Sequence, residues 1–150
     1  MKTPQDSVTE SWHLARPGNA NTLGTVFGGD LLQMMDETAA ICARRHSALR
    51  VVTKTIDNVQ FHRPITMGQV IRLLAKAVRV FNTSMEVQVD ITGIDSYRNE
   101  SFQAAQARFI IVCTDESGNP SAIPPLEPVT ETEKQNWQEA GNRRKLRQGK

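Results

Sequence analysis

The alternation of apolar and polar positions changes its period several times along this chain of 150 residues. Residues 8–16 (VTESWHLAR) mix the two kinds and predict a short first strand, closed by Pro17 and Gly18. The Asn- and Gly-rich run 19–29 (NANTLGTVFGG) predicts a loop. Residues 30–46 (DLLQMMDETAAICARRH) hold no Gly, no Pro and no β-branched run, and predict a helix. Asp30 at its start and Arg44, Arg45 and His46 at its end suit the helix dipole. Its middle is apolar nearly all round, from Leu31, Leu32, Met34 and Met35 to Ala39, Ala40, Ile41 and Cys42, which predicts burial on most sides.

Four strand-like segments follow, at 50–61, 69–81, 84–94 and 102–115. The third sets Met85, Val87, Val89 and Ile91 against Glu86, Gln88, Asp90 and Thr92, the pattern of an antiparallel sheet with one face on a core. The second, QVIRLLAKAVRVF, also contains a run of helix formers. Four prolines within 120–128 predict a rigid connector. Thr130 followed by Glu133 forms a capping-box pattern, so a short helix is expected within 130–148. One early helix followed by a run of antiparallel strands is an α+β chain in which the sheet curls around the helix. The expected division is a domain over 1–128 and a C-terminal helix with a basic tail over 129–150.

Composition narrows the classes. The chain carries 39% hydrophobic and 23% charged residues, the balance of a folded domain. No apolar run is long enough to span a membrane, and the first ten residues, MKTPQDSVTE, hold no apolar signal stretch. Cys42 and Cys113 lie in apolar surroundings, far apart in sequence, and read as reduced, buried thiols of a cytoplasmic protein. A disulfide scaffold and a structural zinc site are not expected. The net charge of +2 is unevenly placed. GNRRKLRQGK at the end carries five basic residues and no acidic one, so the rest is acidic on balance and offers no nucleic-acid-binding core.

Asp36 is the most informative polar residue. It shares a helix face with Leu32, Ala40 and Ala43. Periodicity leaves two readings: a solvated carboxylate beside Glu37, or a carboxylate in apolar surroundings that serves as a base. Gly28 and Gly29 precede the helix and add N–H groups to the donors of its N-terminus, a place for an oxyanion or phosphate or simply a flexible lead-in. Asn21 lies in the same loop, where its amide could hold a water or a carbonyl, or serve a turn. There is no GxSxG elbow and no phosphate loop. His13, His46 and His62 lack metal-ligand spacing and are each expected as surface or partly buried residues.

Taken together, ANTLGTVFGGDLLQMMDETAAICARRH, VVTKTIDNVQFHRPITMGQV and NTSMEVQVD resemble the hot-dog-fold acyl-CoA thioesterases, in the group related to cytosolic acyl-CoA hydrolases. The resemblance covers about residues 8–140. It implies a long central helix wrapped by a curved antiparallel sheet, and two subunits paired edge to edge. Such dimers commonly assemble further as trimers of dimers, giving hexamers. It implies hydrolysis of fatty acyl-CoA to free acid and coenzyme A. The family's catalytic Asn and Asp correspond to Asn21 and Asp36, one from each subunit, with an oxyanion held by the backbone of Gly28 or Gly29. Asp36 acts there as base or as nucleophile. Some relatives fuse two hot-dog domains with one catalytic residue in each, whereas this chain has both. Some have His where Phe27 stands, so any oxyanion contact here falls to backbone N–H groups.

By the same analogy Thr53, Thr55 and Ser84 are expected along the pantetheine arm, and Leu32, Met35 and Phe61 along an acyl slot. Arg63, Arg79 and Arg108 are expected near the nucleotide phosphates. No metal is expected, and no cofactor beyond the coenzyme A that is part of the substrate. Neither nucleic acid nor membrane is an expected partner. The alternatives are a non-catalytic acyl-CoA sensor and a dehydratase, although the His that dehydratases use is missing from the loop–helix segment.

Overall fold

The computed structural model describes residues 1–149. A short helix, α1 (Pro4–Ser7), precedes strand β1 (Thr9–Leu14). A 3-10 turn at Pro17–Asn19 and a loop lead into the long helix α2 (Gly28–Ser47). Strands β2 (Arg50–Phe61), β3 (Val70–Val80), β4 (Ser84–Asp95) and β5 (Glu100–Thr114) follow, then helix α3 (Glu131–Gln148). The five strands form one sheet in the order β1-β3-β4-β5-β2, antiparallel at every pairing. The sheet wraps α2, which is the hot-dog arrangement expected from the sequence.

Strand alternation builds the core. Leu73, Ala75, Val87, Val89, Ile91, Phe109 and Ile111 are fully buried and meet Met35, Ala39, Cys42 and Ala43 of α2. Burying a side chain the size of Met35 contributes about 1.5–3 kcal/mol. Ala39, Cys42 and Ala43 are small, which lets the helix approach the sheet closely. In β3 the helix formers yield to the period-2 pattern. Ile71, Leu73 and Ala75 alternate inward between two neighbouring strands, and tertiary pairing overrides local propensity.

Three expectations change. The helix begins at Gly28 rather than Asp30, because Phe27 holds an extended backbone (φ −61°, ψ 131°) and acts as the cap. Gly28 and Gly29 are therefore the first helical turn, not a lead-in. The helix is buried on one face and not on most sides, since Gln33, Glu37, Ile41 and Arg44 are exposed. His46 is fully buried, beyond the surface or partly buried place expected: its Nε2 lies 2.8 Å from the Pro124 carbonyl oxygen, and Lys2 Nζ donates to the His46 backbone carbonyl at 2.6 Å. The helix ends at Ala48 in the left-handed conformation (φ 57°), with the Ala48 N–H returning to the Arg44 carbonyl.

Helix α3 starts on its capping box: Thr130 Oγ1 accepts from Glu133 N, and the Glu133 carboxylate accepts from Thr130 N. It packs on the outer face of the sheet, opposite α2. Glu86 of β4 points outward and is fully buried beneath it. Arg143 reaches Glu86 with two nitrogens, Nη2 to Oε1 at 2.5 Å and Nε to Oε2 at 3.3 Å. Arg79 of β3 lies flat against the Trp137 ring at 3.4 Å and donates to the Trp137 carbonyl. Gly141 leaves room there for the Arg79 guanidinium, which a Cβ at 141 would displace. Among the described residues, no helix is long and apolar enough to cross a membrane.

Candidate active site

Asp36 sits in the third turn of α2, half-buried, on the flank that faces β2. Thr53 of β2 donates its hydroxyl to Asp36 Oδ1 at 2.6 Å, the short distance of a charge-assisted bond. The sequence left Asp36 between solvated and functional readings. The structure gives it a fixed partner and leaves Oδ2 without a donor among the described residues. Thr53 is aimed by a β-bulge. The β2–β5 register slips between Thr53 and Thr55, so Thr53 lies opposite Ile111 and Thr55 opposite Ile110. Ile111 belongs to the inner face and Ile110 to the outer, so the extra residue Lys54 turns Thr53 toward α2 and Thr55 away from it.

At the N-terminus of α2, Gly28 and Gly29 hold the first two N–H groups, which have no acceptor within the helix. No side chain caps this end. Two aromatic rings flank it. Phe61 lies 3.4 Å from where a Gly28 Cβ would be, and Phe27 lies 3.0 Å from where a Gly29 Cβ would be. Both rings are more than half exposed. The lead-in loop is fixed by the bonds Val26 N to Ile65 O and Phe27 N to Asn19 O. Asn21 organises the loop before it. Its Oδ1 accepts from Leu23 N at 2.9 Å and Thr25 N at 3.2 Å, and its Nδ2 donates to Thr25 Oγ1 at 2.8 Å. One N–H of the amide is left to act on a ligand.

The other expected residues divide between the two faces. Leu32 is half-buried near the helix start, whereas Met35 has no exposed surface and belongs to the core rather than to an open slot. Thr55 and Ser84 meet in an outer-face cleft of about 270 Å³, together with Lys54, Ile110, Phe81, Arg144 and Arg147. Arg63 is exposed and lies over the Phe102 ring at 4.1 Å. Arg79 is held against Trp137. Arg108 turns toward Glu86, Nε to Oε1 at 3.9 Å. The structure does not bring these three arginines together. The described residues contain no group of three His, Cys, Asp or Glu placed to hold a metal ion.

Residues 23–97 match the model of the thioesterase superfamily. The chain belongs to that superfamily. Among relatives of this thioesterase-superfamily chain, an uncharacterized acyl-CoA thioester hydrolase of Zymomonas mobilis is 36% identical over 75% of this chain and 76% of its own length. The mouse cytosolic acyl coenzyme A thioester hydrolase is 35% identical over 87% of this chain, which spans only 35% of that protein. An apo-hexameric acyl-CoA thioesterase superposes with a TM-score of 0.94 at 34% identity, covering 99% of this chain and 97% of that one. The acyl-CoA hydrolase of Staphylococcus aureus, solved with butyryl coenzyme A, coenzyme A and coenzyme A disulfide, superposes at 0.90 with 32% identity, covering 99% and 91%. That enzyme has also been solved as variants in which one Asn, one Asp and one Thr are each replaced by Ala.

Within the thioesterase-superfamily chain, sequence reasoning missed two features of the fold around β2. One is the β2 bulge, which carries no glycine or proline to mark it. The other is the return of the basic tail to the sheet, for which the run Arg143, Arg144, Lys145 and Arg147 was the available signal.

Proposed function

We propose that this chain hydrolyses acyl-CoA thioesters to the free acid and coenzyme A, at sites shared between two copies. The observation that carries the reading is the Asp36–Thr53 pair set against the open helix N-terminus. Asp36 lies seven to eight residues along α2 from Gly28 and Gly29, or about 10–12 Å at 1.5 Å per residue. One carbonyl cannot reach both ends of that span. A second copy supplies the missing half if its helix N-terminus meets the first copy's Asp36. The spacing Asn21–Asp36–Thr53 supports the same residues, because the three altered positions of the S. aureus enzyme are separated by the same intervals.

Pairing has a surface to use. β2 is twelve residues long and bonds only to β5, so its other edge is open. Val52 and Phe61 on it are exposed apolar residues. A two-fold pairing through this edge continues the sheet into the second copy and gives each dimer two equivalent sites. The hexameric neighbour supports further assembly as a trimer of dimers. Buried thiols at Cys42 and Cys113 and the cytosolic mouse relative support a cytoplasmic location.

In the reaction, the thioester carbonyl oxygen accepts from the N–H of Gly28 or Gly29 as negative charge develops on it. Asp36, held by Thr53, uses Oδ2 either to take a proton from water as the water attacks, or to attack the carbon itself before water releases the acid. The carbon–sulfur bond breaks, and the thiolate of coenzyme A takes up a proton. The remaining N–H of Asn21 from the partner copy orients the water or the thioester. Phe27, Phe61 and Leu32 line the approach of the acyl chain. The test is thiol release from a panel of short to long acyl-CoA esters by the native protein, Asp36→Ala and Asn21→Ala. Turnover by the native protein and its loss in both variants is expected. Full turnover by folded Asp36→Ala would overturn the mechanism, and tight binding without thiol release would make the protein a sensor.

A further inference from the structure

The crevice between α2 and β2 continues past Asp36 toward the C-terminal end of the helix. Ala40 lies one helical turn beyond Asp36 on the same face, and Arg44 one turn further. Val51 lies two strand positions from Thr53, about 7 Å away and on the same side of the sheet. With Ile41 and Leu49, these residues line an open groove of about 1130 Å³ whose floor is apolar. The groove ends among charges of both signs, Arg44, Arg45, Arg50, Asp115 and Glu116. Arg45 is already bonded to the Val8 carbonyl and the Thr9 hydroxyl, and Arg50 to the Glu116 carbonyl. No carboxylate pairs with Arg44 among the described residues.

An acyl tail whose thioester stands at Asp36 cannot enter the core instead. Met35, Ala39, Cys42 and Ala43, on the helix face toward the sheet, have no accessible surface, so a chain cannot pass between helix and sheet without displacing them. Pairing two β2 edges about a two-fold sets the strands antiparallel. The N-terminal end of the second α2, with Phe27 and Phe61 beside it, then comes to lie over this groove, and the groove's length stays uncrossed. From Asp36 to Arg44 is eight residues, or about 12 Å. An extended alkyl chain advances roughly 1.25 Å per carbon, from a C–C bond of about 1.5 Å at a tetrahedral angle. The charged end is therefore met after about eight to ten carbons. Up to that point each methylene leaves water for apolar surface. Beyond it the chain strips water from charged groups, which costs free energy.

We infer that the groove floored by Ala40, Leu49 and Val51 holds the acyl tail, and that its charged end at Arg44 limits the substrates to short and medium chains of up to about ten carbons. This rests on the acyl-CoA reading above and makes Ala40 and Arg44 specificity-determining residues. The values of kcat/KM for acetyl-, octanoyl- and hexadecanoyl-CoA, each below its micelle concentration, read the groove. Full burial of one methylene is worth about fourfold, and the groove is open on one side, so octanoyl-CoA is expected to exceed acetyl-CoA by about tenfold or more. Hexadecanoyl-CoA is expected to be no better than octanoyl-CoA. Ala40→Phe fills the floor and is expected to lower the octanoyl-to-acetyl ratio by about tenfold or more. Arg44 is exposed, and leucine keeps its helix propensity. Arg44→Leu removes the charge and is expected to raise the hexadecanoyl-to-octanoyl ratio by about fivefold or more.

A native preference that keeps rising to hexadecanoyl-CoA overturns the proposal, as do ratios within about twofold of native in both variants. Arg44→Leu decides alone if Ala40→Phe does not fold. Should the native protein hydrolyse none of the three esters, the hydrolase reading fails separately. Calorimetry with the same esters then decides the groove. Affinity that rises to octanoyl-CoA, stops there and extends to hexadecanoyl-CoA in Arg44→Leu supports it, and no binding, or affinity independent of chain length, overturns it.

Discussion

Replacing Thr53 by Val probes the contact on which the proposed reaction depends. The hydroxyl is the one group that holds the Asp36 carboxylate among the described residues, at 2.6 Å. Valine keeps the branched shape and removes only the donor. A hydrogen bond to a charged group contributes about 1.5–3 kcal/mol. If that bond holds Asp36 in its reactive position, the loss appears in kcat as a fall of about 10- to 150-fold. If Thr53 acts only through Asp36 and not on the substrate, KM moves little. Thr53→Ser restores the hydroxyl and recovers most of the turnover. The assay is thiol release followed with a thiol-reactive dye, with thermal unfolding measured alongside. The protein's own thiols do not interfere: both are fully buried, and burial pushes Cys42 up to about 11. Thr53→Val with kcat within about threefold of native, and no recovery by Ser, would refute the role given to this pair.

Other outcomes follow from the same geometry. Gly28→Pro removes one N–H, and the extended backbone of Phe27 accommodates a following proline, so kcat is expected to fall about 10²–10³-fold while the melting temperature stays near native. Equal kcat would exclude Gly28 as an oxyanion donor. Glu86→Gln leaves Arg143 and Arg108 without their carboxylate and is expected to destabilise the fold by about 3 kcal/mol, read by urea unfolding. A change below about 0.5 kcal/mol would mean that α3 is held by its other contacts. Burial lowers the pKa of His46 below its usual 6.5. The unfolded chain then binds the proton first as pH falls, so the fold loses stability as pH drops through 6.5. His46→Gln should flatten that loss, and an unchanged slope would assign it to other groups.

The elements were legible because most of them obey one rule at a time. Strict alternation in β4 and the capping box of α3 were both recoverable from residue types alone. The start of α2 was not, because glycines read as loop. Only the extended backbone of Phe27 and its bond to Asn19 show that they are helical. Met35 looked available to a ligand because helix periodicity does not say how completely a sheet covers a face. The pairing of Asp36 with Thr53 depends on a bulge that Thr, Lys and Thr in a row do not announce. Arg63, Arg79 and Arg108 were candidates for the phosphates only as surface cations. Cross-strand and helix–sheet packing instead committed Arg79 to Trp137 and turned Arg108 toward Glu86, and brought Arg144 and Arg147 back from the tail. Such long-range contacts are set by the fold as a whole and leave no local mark.

The central claim is that each reaction centre draws on two chains, and subunit mixing tests it directly. Asp36→Ala and Asn21→Ala chains, each inactive alone, are co-expressed at equal levels. Half of the resulting dimers are mixed, and each mixed dimer holds one centre with both groups intact, so thiol release should return to about a quarter of the native rate. If Asn21 and Asp36 served one centre within a single chain, every centre in the mixture would lack one of them, and release would stay at the level of the separate variants.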